Sequence, residues 1–351
     1  MQFNTVLTQD ELDRMIDVIA PSWRIREATP TDAGHHAVYQ LAVETTEGNR
    51  GCYLKATPEN KDPSVDLEAR LLMMLDRHTG IRVPTVHGIV DEHDQLPAPF
   101  VLMEAVPGEL NSRTELASVP NDRLRGFARD TGRQLADLHS LDAVDGFGFL
   151  TAAGPTLYGA RPSGDLDTVA VADPVADWRE RLHDWANGTL NDLEDTRFAD
   201  VVPEARPIVD SRIDDIDGPF EPALARIDSS FENVLLADDG LSAMLDWEFT
   251  IAATPAYDVT AVTWSLAGGP YLFAPEVPDR RDLIGEAILD GYREQGNGRV
   301  TEQVRTNREC YELLAALRSM VHLRSWYRLF DLGEQIDDAA SNLRDEVSVR
   351  L

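Results

Sequence analysis

The spacing of apolar residues divides the chain into a strand-rich beginning and a helix-rich remainder. Apolar residues recur at helical spacing over residues 8–19 and again over residues 65–75, which predicts two helices. Short runs of apolar, β-branched and aromatic residues around these helices predict strands. The predicted strands are residues 23–28, 37–43, 51–56, 80–90 and 100–108.

Helical spacing dominates from residue 124 onward, with one long interruption. The predicted helices are residues 124–141, 178–193, 259–266, 280–292 and 301–332. Tyr311, Trp326, Tyr327 and Phe330 fall on the last of these, and aromatic residues at helical spacing are typical of a core rather than a substrate pocket. Residues 151–174 are rich in Gly, Pro and Asp and predict a loop.

One β-hairpin is predicted within the helical part, and it carries chemically useful side chains. Two short apolar runs are separated by Asp238-Asp239-Gly240, which is a strong tight-turn signal. Asn233 and Asp246 flank the open end of this hairpin, and Asp228 precedes the asparagine in a loop. Phosphoryl transfer uses such a set, in which one carboxylate accepts the proton of an attacking hydroxyl while amide and carboxylate oxygens bind Mg²⁺.

Three segments of this region together resemble the aminoglycoside phosphotransferase-like family of small-molecule kinases, which are relatives of the protein kinases. The family pattern is His-x-Asp-x-x-x-x-Asn, then Asp-Trp or Asp-x-Glu, then a segment like Pro-Ala-Tyr-Asp. The corresponding segments here are Arg226-Ile-Asp228-Ser-Ser-Phe-Glu-Asn233, Asp246-Trp247-Glu248 and Pro255-Ala-Tyr-Asp258. The resemblance implies an α+β, two-lobed, protein-kinase-like fold. Residues 1–106 would form a nucleotide-binding lobe with a small antiparallel β-sheet and one helix, and residues 107–351 a larger, mainly helical, catalytic and substrate-binding lobe.

Lys55 stands out in the third predicted strand because the chain contains only two lysines, Lys55 and Lys61. An isolated lysine in a strand is more often a solvated edge residue, but Glu68 near the start of the next helix could reach back to pair with it. A lysine and a glutamate so placed match the ion pair of the family, in which the lysine holds the α- and β-phosphates. Gly34, between two predicted strands, would let the backbone approach the phosphates, although a plain hairpin explains this glycine equally well.

The resemblance also implies roles for the other matched residues, with ATP and Mg²⁺ as cofactors. Asp228 would accept the proton of the substrate hydroxyl, and Asn233 and Asp246 would hold Mg²⁺. Backbone groups from Glu104 to Val106 would form hydrogen bonds with adenine, a role that requires no particular side chain.

The sequence also leads to predicted roles for three further polar residues. Asp258 matches a family position whose carboxylate braces the catalytic loop. Glu248 is close enough in sequence to touch the metal or a cationic substrate. His139 ends a predicted helix, where a packed, structural histidine is expected rather than a ligand or a catalyst.

Arg226 is the main departure from the family pattern, because the family usually has His there. Arginine could replace that histidine by bonding within the loop, although its longer side chain could also pair with an acidic neighbour. The favoured function is an ATP-dependent kinase acting on a hydroxyl of a small molecule such as an amino-sugar, an amino alcohol or a related metabolite. The alternative is a nucleotide-binding regulator with little turnover. Protein kinase activity is disfavoured because the Asp-Phe-Gly and Ala-Pro-Glu segments are missing.

The amino-acid composition indicates the environment and the possible partners of the protein more than the reaction it performs. The formal net charge of -30 argues against nucleic acid or an anionic membrane surface as a partner. An acidic chain depleted in lysine suggests adaptation to high salt, where the Debye length falls to about 3 Å. Cys52 and Cys310 show no paired spacing, and no signal-peptide pattern or membrane-spanning window is found, so a protein of the reducing cytoplasm is expected.

Overall fold

The chain forms two compact units in a computed structural model that describes residues 6–31, 36–57, 65–110, 112–237, 240–275, 277–296 and 298–351. The first unit comprises Met1–Gly108, Leu150–Ala172 and Ser242–Glu248. The second comprises Glu109–Phe149, Asp173–Leu241 and Phe249–Leu351. The first unit thus includes two later segments that the predicted division after residue 106 assigns to the helical lobe.

Helices and strands alternate irregularly along the described residues. The helices are α1 (Gln9–Ile19), α2 (Val65–His78), α3 (Asn121–His139), α4 (Trp178–Glu194), α5 (Val202–Asp214), α6 (Pro255–Leu266), α7 (Arg281–Glu294), α8 (Gly298–Leu329) and α9 (Ile336–Arg350). The strands are β1 (Arg24–Pro30), β2 (Ala37–Thr45), β3 (Gly48–Ala56), β4 (Val86–Val90), β5 (Phe100–Glu104), β6 (Glu109–Leu110), β7 (Phe147–Ala152), β8 (Tyr158–Ala160), β9 (Val169–Val175), β10 (Ala223–Ala225), β11 (Val234–Ala237), β12 (Gly240–Met244) and β13 (Ile251–Ala253). Both strands of the predicted hairpin are present as β11 and β12, while residues 238–239 of its turn lie outside the described residues.

A six-stranded antiparallel sheet forms the framework of the first unit, in the order β1-β2-β3-β5-β4-β8. Burial alternates along much of β2, because successive side chains of a strand point to opposite faces of a sheet. Helix α1 packs on this sheet through Leu12 and Met15, which join Leu41 and Leu54 in one apolar core. Full burial of each such side chain contributes roughly 1.5–3 kcal/mol to folding.

Residues 151–174 contain strands, so the predicted loop there is wrong. Strand β8 pairs with β4 and forms one edge of the first sheet. Arg70 of α2 fixes the preceding segment by donating hydrogen bonds to the carbonyl oxygens of Ala153 and Pro155, both at 3.2 Å, and it pairs with Asp91 at 2.7 Å. Backbone pairing with a distant strand demands little of the side chains, and the Gly- and Pro-rich composition therefore concealed it.

The second unit is mainly helical, and two glycines set its closest helix packing. Gly132 of α3 faces the carbonyl oxygen of Ile288 in α7, and Gly291 of α7 faces that of Arg129 in α3. A Cβ atom at either glycine would overlap the facing backbone. Elsewhere in this unit, the indole of Trp264 in α6 donates a 3.0 Å hydrogen bond to the Ser319 hydroxyl in α8.

The aromatic residues in α8 and directly after it divide into two groups. Tyr311 and Tyr327 are each 1% exposed and belong to the core, as predicted. Trp326 and Phe330 are half-buried, and their rings stack on each other with centroids 5.6 Å apart. Among the helices that the structure describes, none is both long enough and apolar enough to cross a bilayer.

Candidate functional site

Lys55 lies inside a cluster of carboxylates in the first unit. Its strand, β3, is paired on both sides, with Val38 of β2 and Val101 of β5 opposite Lys55, and its side chain is only 10% exposed. The Lys55 Nζ atom lies 2.8 Å from Glu68 Oε2, 3.0 Å from Asp246 Oδ1 and 2.8 Å from Glu248 Oε2. The predicted Lys55–Glu68 ion pair is therefore present, and Lys55 is not a solvated edge residue.

These contacts keep the Lys55 ammonium charged. Burial alone would lower the pKa of Lys55, but the negative charges of Asp246, Glu68 and Glu248 outweigh it and raise the pKa well above its usual value. A buried lysine with three carboxylates around it remains a fixed positive charge. Such a charge is suited to bind an anion that replaces one of the carboxylates.

Glu68 joins α2 to the segment that follows β12. Its Oε2 atom accepts a hydrogen bond from Lys55, and its Oε1 atom accepts a 3.2 Å hydrogen bond from the backbone amide of Trp247. Burial raises the pKa of Glu68; Lys55 opposes this rise, while Asp246 and Glu248 add to it. Glu68 thus fixes both the lysine and the backbone next to Asp246.

Glu248 contacts two basic side chains, one of which the sequence did not reveal. Its Oε2 atom contacts Lys55 and also lies 2.7 Å from His36 Nε2, and the side chains of His36 and Glu248 are both 6% exposed. Burial alone would raise the pKa of Glu248, but the hydrogen bond from His36 and the charge of Lys55 hold it at about 2. His36 has no signal in the sequence because its partner comes from a segment remote in the chain.

Oxygen atoms suited to a divalent cation converge in the same cluster. One ligand oxygen from each of Glu68, Asp246 and Glu248 lies within 4.8 Å of the others. Asp246 has a φ of 59°, a left-handed conformation that is uncommon for a residue other than glycine. Carboxylate oxygens are the donors that Mg²⁺ prefers, so this set fits such an ion.

The loop that carries Asp228 belongs to the second unit and is tied to itself by backbone hydrogen bonds. It starts directly after β10, and the Asp228 amide donates to the Arg226 carbonyl at 2.5 Å. The Arg226 guanidinium is buried and donates a 3.2 Å hydrogen bond to the carbonyl of Asn233, whose own amide donates to the Ser230 carbonyl at 2.9 Å. Arg226 therefore bonds within the loop, as expected for a structural replacement of the family histidine.

Asp258 braces this loop from α6. Its Oδ1 atom accepts a 2.8 Å hydrogen bond from the amide of Ile227, and its Oδ2 atom lies 2.8 Å from His139 Nε2. The other ring nitrogen of His139 lies 2.9 Å from the Tyr292 hydroxyl, and the pKa of Tyr292 is raised by burial. His139 is thus a buried packing residue, as predicted.

The remaining predicted positions have less defined surroundings. Gly34 lies outside the described residues. Glu104 ends β5, and its amide donates a 2.8 Å hydrogen bond to the Thr85 carbonyl, so that amide is used within the sheet. The Glu104 carbonyl and the backbone of Val106 stay predictions as adenine-binding groups.

Comparison with known proteins agrees with this arrangement. The model of the phosphotransferase enzyme family matches residues 35–299, so the chain belongs to that family. A thermostable mutant of aminoglycoside phosphotransferase APH(4)-Ia has a similar structure, with a TM-score of 0.61 at 15% identity over 97% of this chain and 99% of the other. The structure of aminoglycoside 2'-phosphotransferase-IIIa is similar too, with a TM-score of 0.60 at 14% identity over 98% of this chain and 100% of the other.

No curated protein sequence matches the chain. At 14–15% identity the structural likeness shows the fold, and it confirms the predicted α+β, kinase-like fold class. Membership of the family confirms the predicted resemblance and the prediction of a phosphotransferase enzyme.

Proposed function

We propose that the protein transfers the γ-phosphoryl group of ATP to a hydroxyl of a small molecule. The observation that carries this proposal is the buried Lys55 ammonium, held by Glu68 and Asp246 at 2.8 and 3.0 Å. Structural relatives support it: one was solved with streptomycin and ATP, and another with ADP and hygromycin B. Both have TM-scores above 0.5, at 15% identity.

In the proposed reaction, Lys55 binds the α- and β-phosphate oxygens as a point charge, and Glu68 keeps it in place. Asn233 and Asp246 supply oxygen ligands for Mg²⁺. An ion held there would supply positive charge that offsets the negative charge of the phosphate oxygens. The carboxylate of Asp228 orients the acceptor hydroxyl and takes its proton.

Backbone groups complete the proposed nucleotide site. Glu104 and Val106 contribute carbonyl and amide groups to the adenine, and Gly34 allows the backbone to approach the phosphates. Most of the chemistry is then positioning and charge neutralisation, which rigid, buried residues perform without any covalent step of their own.

Arg226 supports a second candidate function, a nucleotide-binding regulator with little turnover. Its guanidinium is 1% exposed and holds the Asn233 carbonyl in a loop where the family usually has histidine. A loop fixed in this way could bind the metal-nucleotide complex without aligning an acceptor for transfer.

The test measures ADP release with ATP and Mg²⁺ in molar KCl across amino-sugars, amino alcohols and hydroxy acids. The Asp228→Asn variant is the control, and calorimetry gives the ATP affinity of both proteins. We expect some acceptors to raise ADP release, with a loss of about 10²–10⁴-fold in Asp228→Asn and unchanged ATP binding. If no compound raises release above that of the variant while ATP still binds, the regulator replaces the enzyme.

A further inference from the structure

A group of aromatic rings and an arginine lies on the second unit beside the loop that carries Asp228. We call Phe149, Trp185, Tyr257 and Arg318 the aromatic–arginine patch. None of these residues has a role in the proposed catalytic chemistry. Phe149 is 60% exposed although its ring contacts that of Trp185.

Helices α4 and α8 each contribute one residue to the patch, Trp185 and Arg318. The Trp178 indole of α4 donates a 3.1 Å hydrogen bond to the Tyr311 hydroxyl of α8, which fixes the two helices against each other. Trp185 and Arg318 each lie two helical turns further on, and residues at this separation share a helix face. Trp185 and Arg318 therefore lie on the faces of α4 and α8 that carry Trp178 and Tyr311.

The rings of the patch contact one another. The Trp185 ring lies 5.7 Å from that of Phe149 and 6.2 Å from that of Tyr257, measured between centroids. The indole Nε1 atom of Trp185 is buried and has no hydrogen-bond partner among the described residues. A ligand oxygen reached by rotation of this side chain would satisfy that donor.

Strand pairing connects the patch to the Asp228 loop. Ala225 of β10 pairs with Ile251 of β13, and Ile251 pairs with Phe149 of β7. Neighbouring strands lie about 4.8 Å apart, so the Phe149 backbone is about 10 Å from Ala225. The chain leaves β10 at Ala225 and enters the Asp228 loop directly, so the patch lies at the same end of this sheet.

The charge of the patch is opposite to that of the protein as a whole. The chain carries 62 acidic residues, yet residues 313–330 contain none and include Arg318, His322, Arg324 and Arg328. Arg318 is exposed and has neither an ion pair nor a hydrogen bond within the part of the chain that the structure describes. Burial raises the pKa of the Tyr257 hydroxyl, and the charge of Arg318 opposes that rise, so this guanidinium acts on the patch.

We propose that the aromatic–arginine patch binds the phosphoryl acceptor, and that the acceptor is a hydroxylated anion with a flat apolar face rather than a polycationic amino-sugar. The inference rests on the proposed phosphoryl transfer and names its substrate class. Phe149 and Trp185 pack against the flat face, and Arg318 forms a charge-assisted hydrogen bond with the anionic group, a carboxylate or a phosphate.

The test measures binding by ligand-observed NMR in molar KCl, with four probes. Two are anionic, 4-(hydroxymethyl)benzoate and 4-(hydroxymethyl)phenyl phosphate. The neutral analogue is 4-(hydroxymethyl)benzamide, and kanamycin is the polycation. The variants are Arg318→Gln and, as a matched control, Arg324→Gln, which changes another exposed and unpaired arginine of α8 on a different helix face. Phe149→Ala tests the aromatic surface.

We expect at least one anionic probe to bind about tenfold more tightly than the amide, with this preference lost in Arg318→Gln and kept in Arg324→Gln. Phe149→Ala should weaken the anionic probe and the amide alike. Binding of the benzoate alone or of the phosphate alone supports the proposal and identifies the anionic group. Absence of anion binding, equal binding of amide or kanamycin, or equal effects of the two arginine variants overturns it.

ADP release with the same compounds separates this inference from the proposed function. If an anionic probe binds through Arg318 but no compound of either panel raises ADP release above that of Asp228→Asn, phosphoryl transfer is refuted and the anion site stands. If only polycations raise release, phosphoryl transfer stands and the anion site is refuted.

Discussion

The carboxylate of Asp258 accepts a 2.8 Å hydrogen bond from the backbone amide of Ile227, the residue directly before Asp228. Ile227 has a φ of 46°, a left-handed conformation that costs roughly 1–2 kcal/mol in a residue other than glycine. The hydrogen bond from a buried carboxylate therefore helps to hold the loop in a conformation that its own sequence disfavours.

Replacing Asp258 with Asn should loosen this loop. The amide keeps the size of the carboxylate but loses its negative charge, so it accepts the hydrogen bond of the Ile227 amide more weakly. We expect the free energy of unfolding to fall by about 2–4 kcal/mol and kcat for ADP release to fall about tenfold or more. Urea unfolding and steady-state kinetics measure the two effects. Asp200→Asn, in an exposed pair with Arg344, should change neither, and an unchanged kcat in Asp258→Asn would contradict the bracing role.

Replacing Lys55 with Met should weaken both nucleotide binding and stability. Glu68, Asp246 and Glu248 would then share a buried space without the lysine, and breaking a buried pair costs about 3–5 kcal/mol. Combining Lys55→Met with Glu68→Gln should restore part of the stability, because one unpaired charge is removed with the cation. Calorimetry with ATP and urea unfolding measure the two effects. Undiminished affinity for ATP in Lys55→Met would count against the proposed phosphate contact.

The Glu248 cluster should make stability depend on pH. Burial would raise the pKa of Glu248, but His36 and Lys55 hold it at about 2 against an ordinary value of 4.5. A lowered folded pKa contributes stability above the unfolded pKa, and this contribution is lost as the pH falls from about 4.5 toward 2. In EDTA at pH 7, the free energy of unfolding of Glu248→Gln should therefore be lower than that of the parent by up to about 3 kcal/mol. This difference in the free energy of unfolding should become smaller below pH 4.5. Asp17→Asn removes a charge from an exposed pair with Arg24 and should leave the free energy of unfolding nearly unchanged. If the difference in the free energy of unfolding between Glu248→Gln and the parent did not depend on pH, the explanation would be refuted.

The contact between α3 and α7 should leave no space for an added methyl group. Gly132→Ala places a Cβ atom against the backbone carbonyl of Ile288, which belongs to a rigid helix and cannot give way. We expect a loss of about 1–3 kcal/mol or more. In the same helix Gly126 has open space around it, so Gly126→Ala should stabilise by roughly 0.5–1 kcal/mol. Thermal melting of both variants checks the pair, and a melting temperature that does not fall in Gly132→Ala would show that the packing is looser than described.

The sequence could predict those parts of the site that depend on local patterns. Lys55 in a strand and Glu68 at the start of the next helix are few residues apart, so one strand–helix step brings them together. The spacing of Asp228, Asn233, Asp246 and Asp258 carried the family resemblance. The resemblance implied the fold class, and the change from strand-like to helical spacing along the chain agreed with it.

Contacts between segments remote in the chain could not be predicted. His36 and Glu248 meet only in the folded first unit, and neither has a neighbour in sequence that indicates the other. The hydrogen bond from Arg226 to the Asn233 carbonyl depends on how the loop closes. Strand β8 pairs through its backbone, and its sequence is that of a loop.

The composition of the first unit limits how far the protein can fold during its synthesis on the ribosome. Because residues 242–248 belong to it, more than two thirds of the 351 residues must be synthesised before its last segment is available. Until then the nascent chain exposes a sheet without Asp246 and Glu248, the partners that neutralise Lys55. A domain whose pieces emerge so far apart cannot complete its fold strictly from the N-terminus during translation, and its final assembly must wait for late-made sequence.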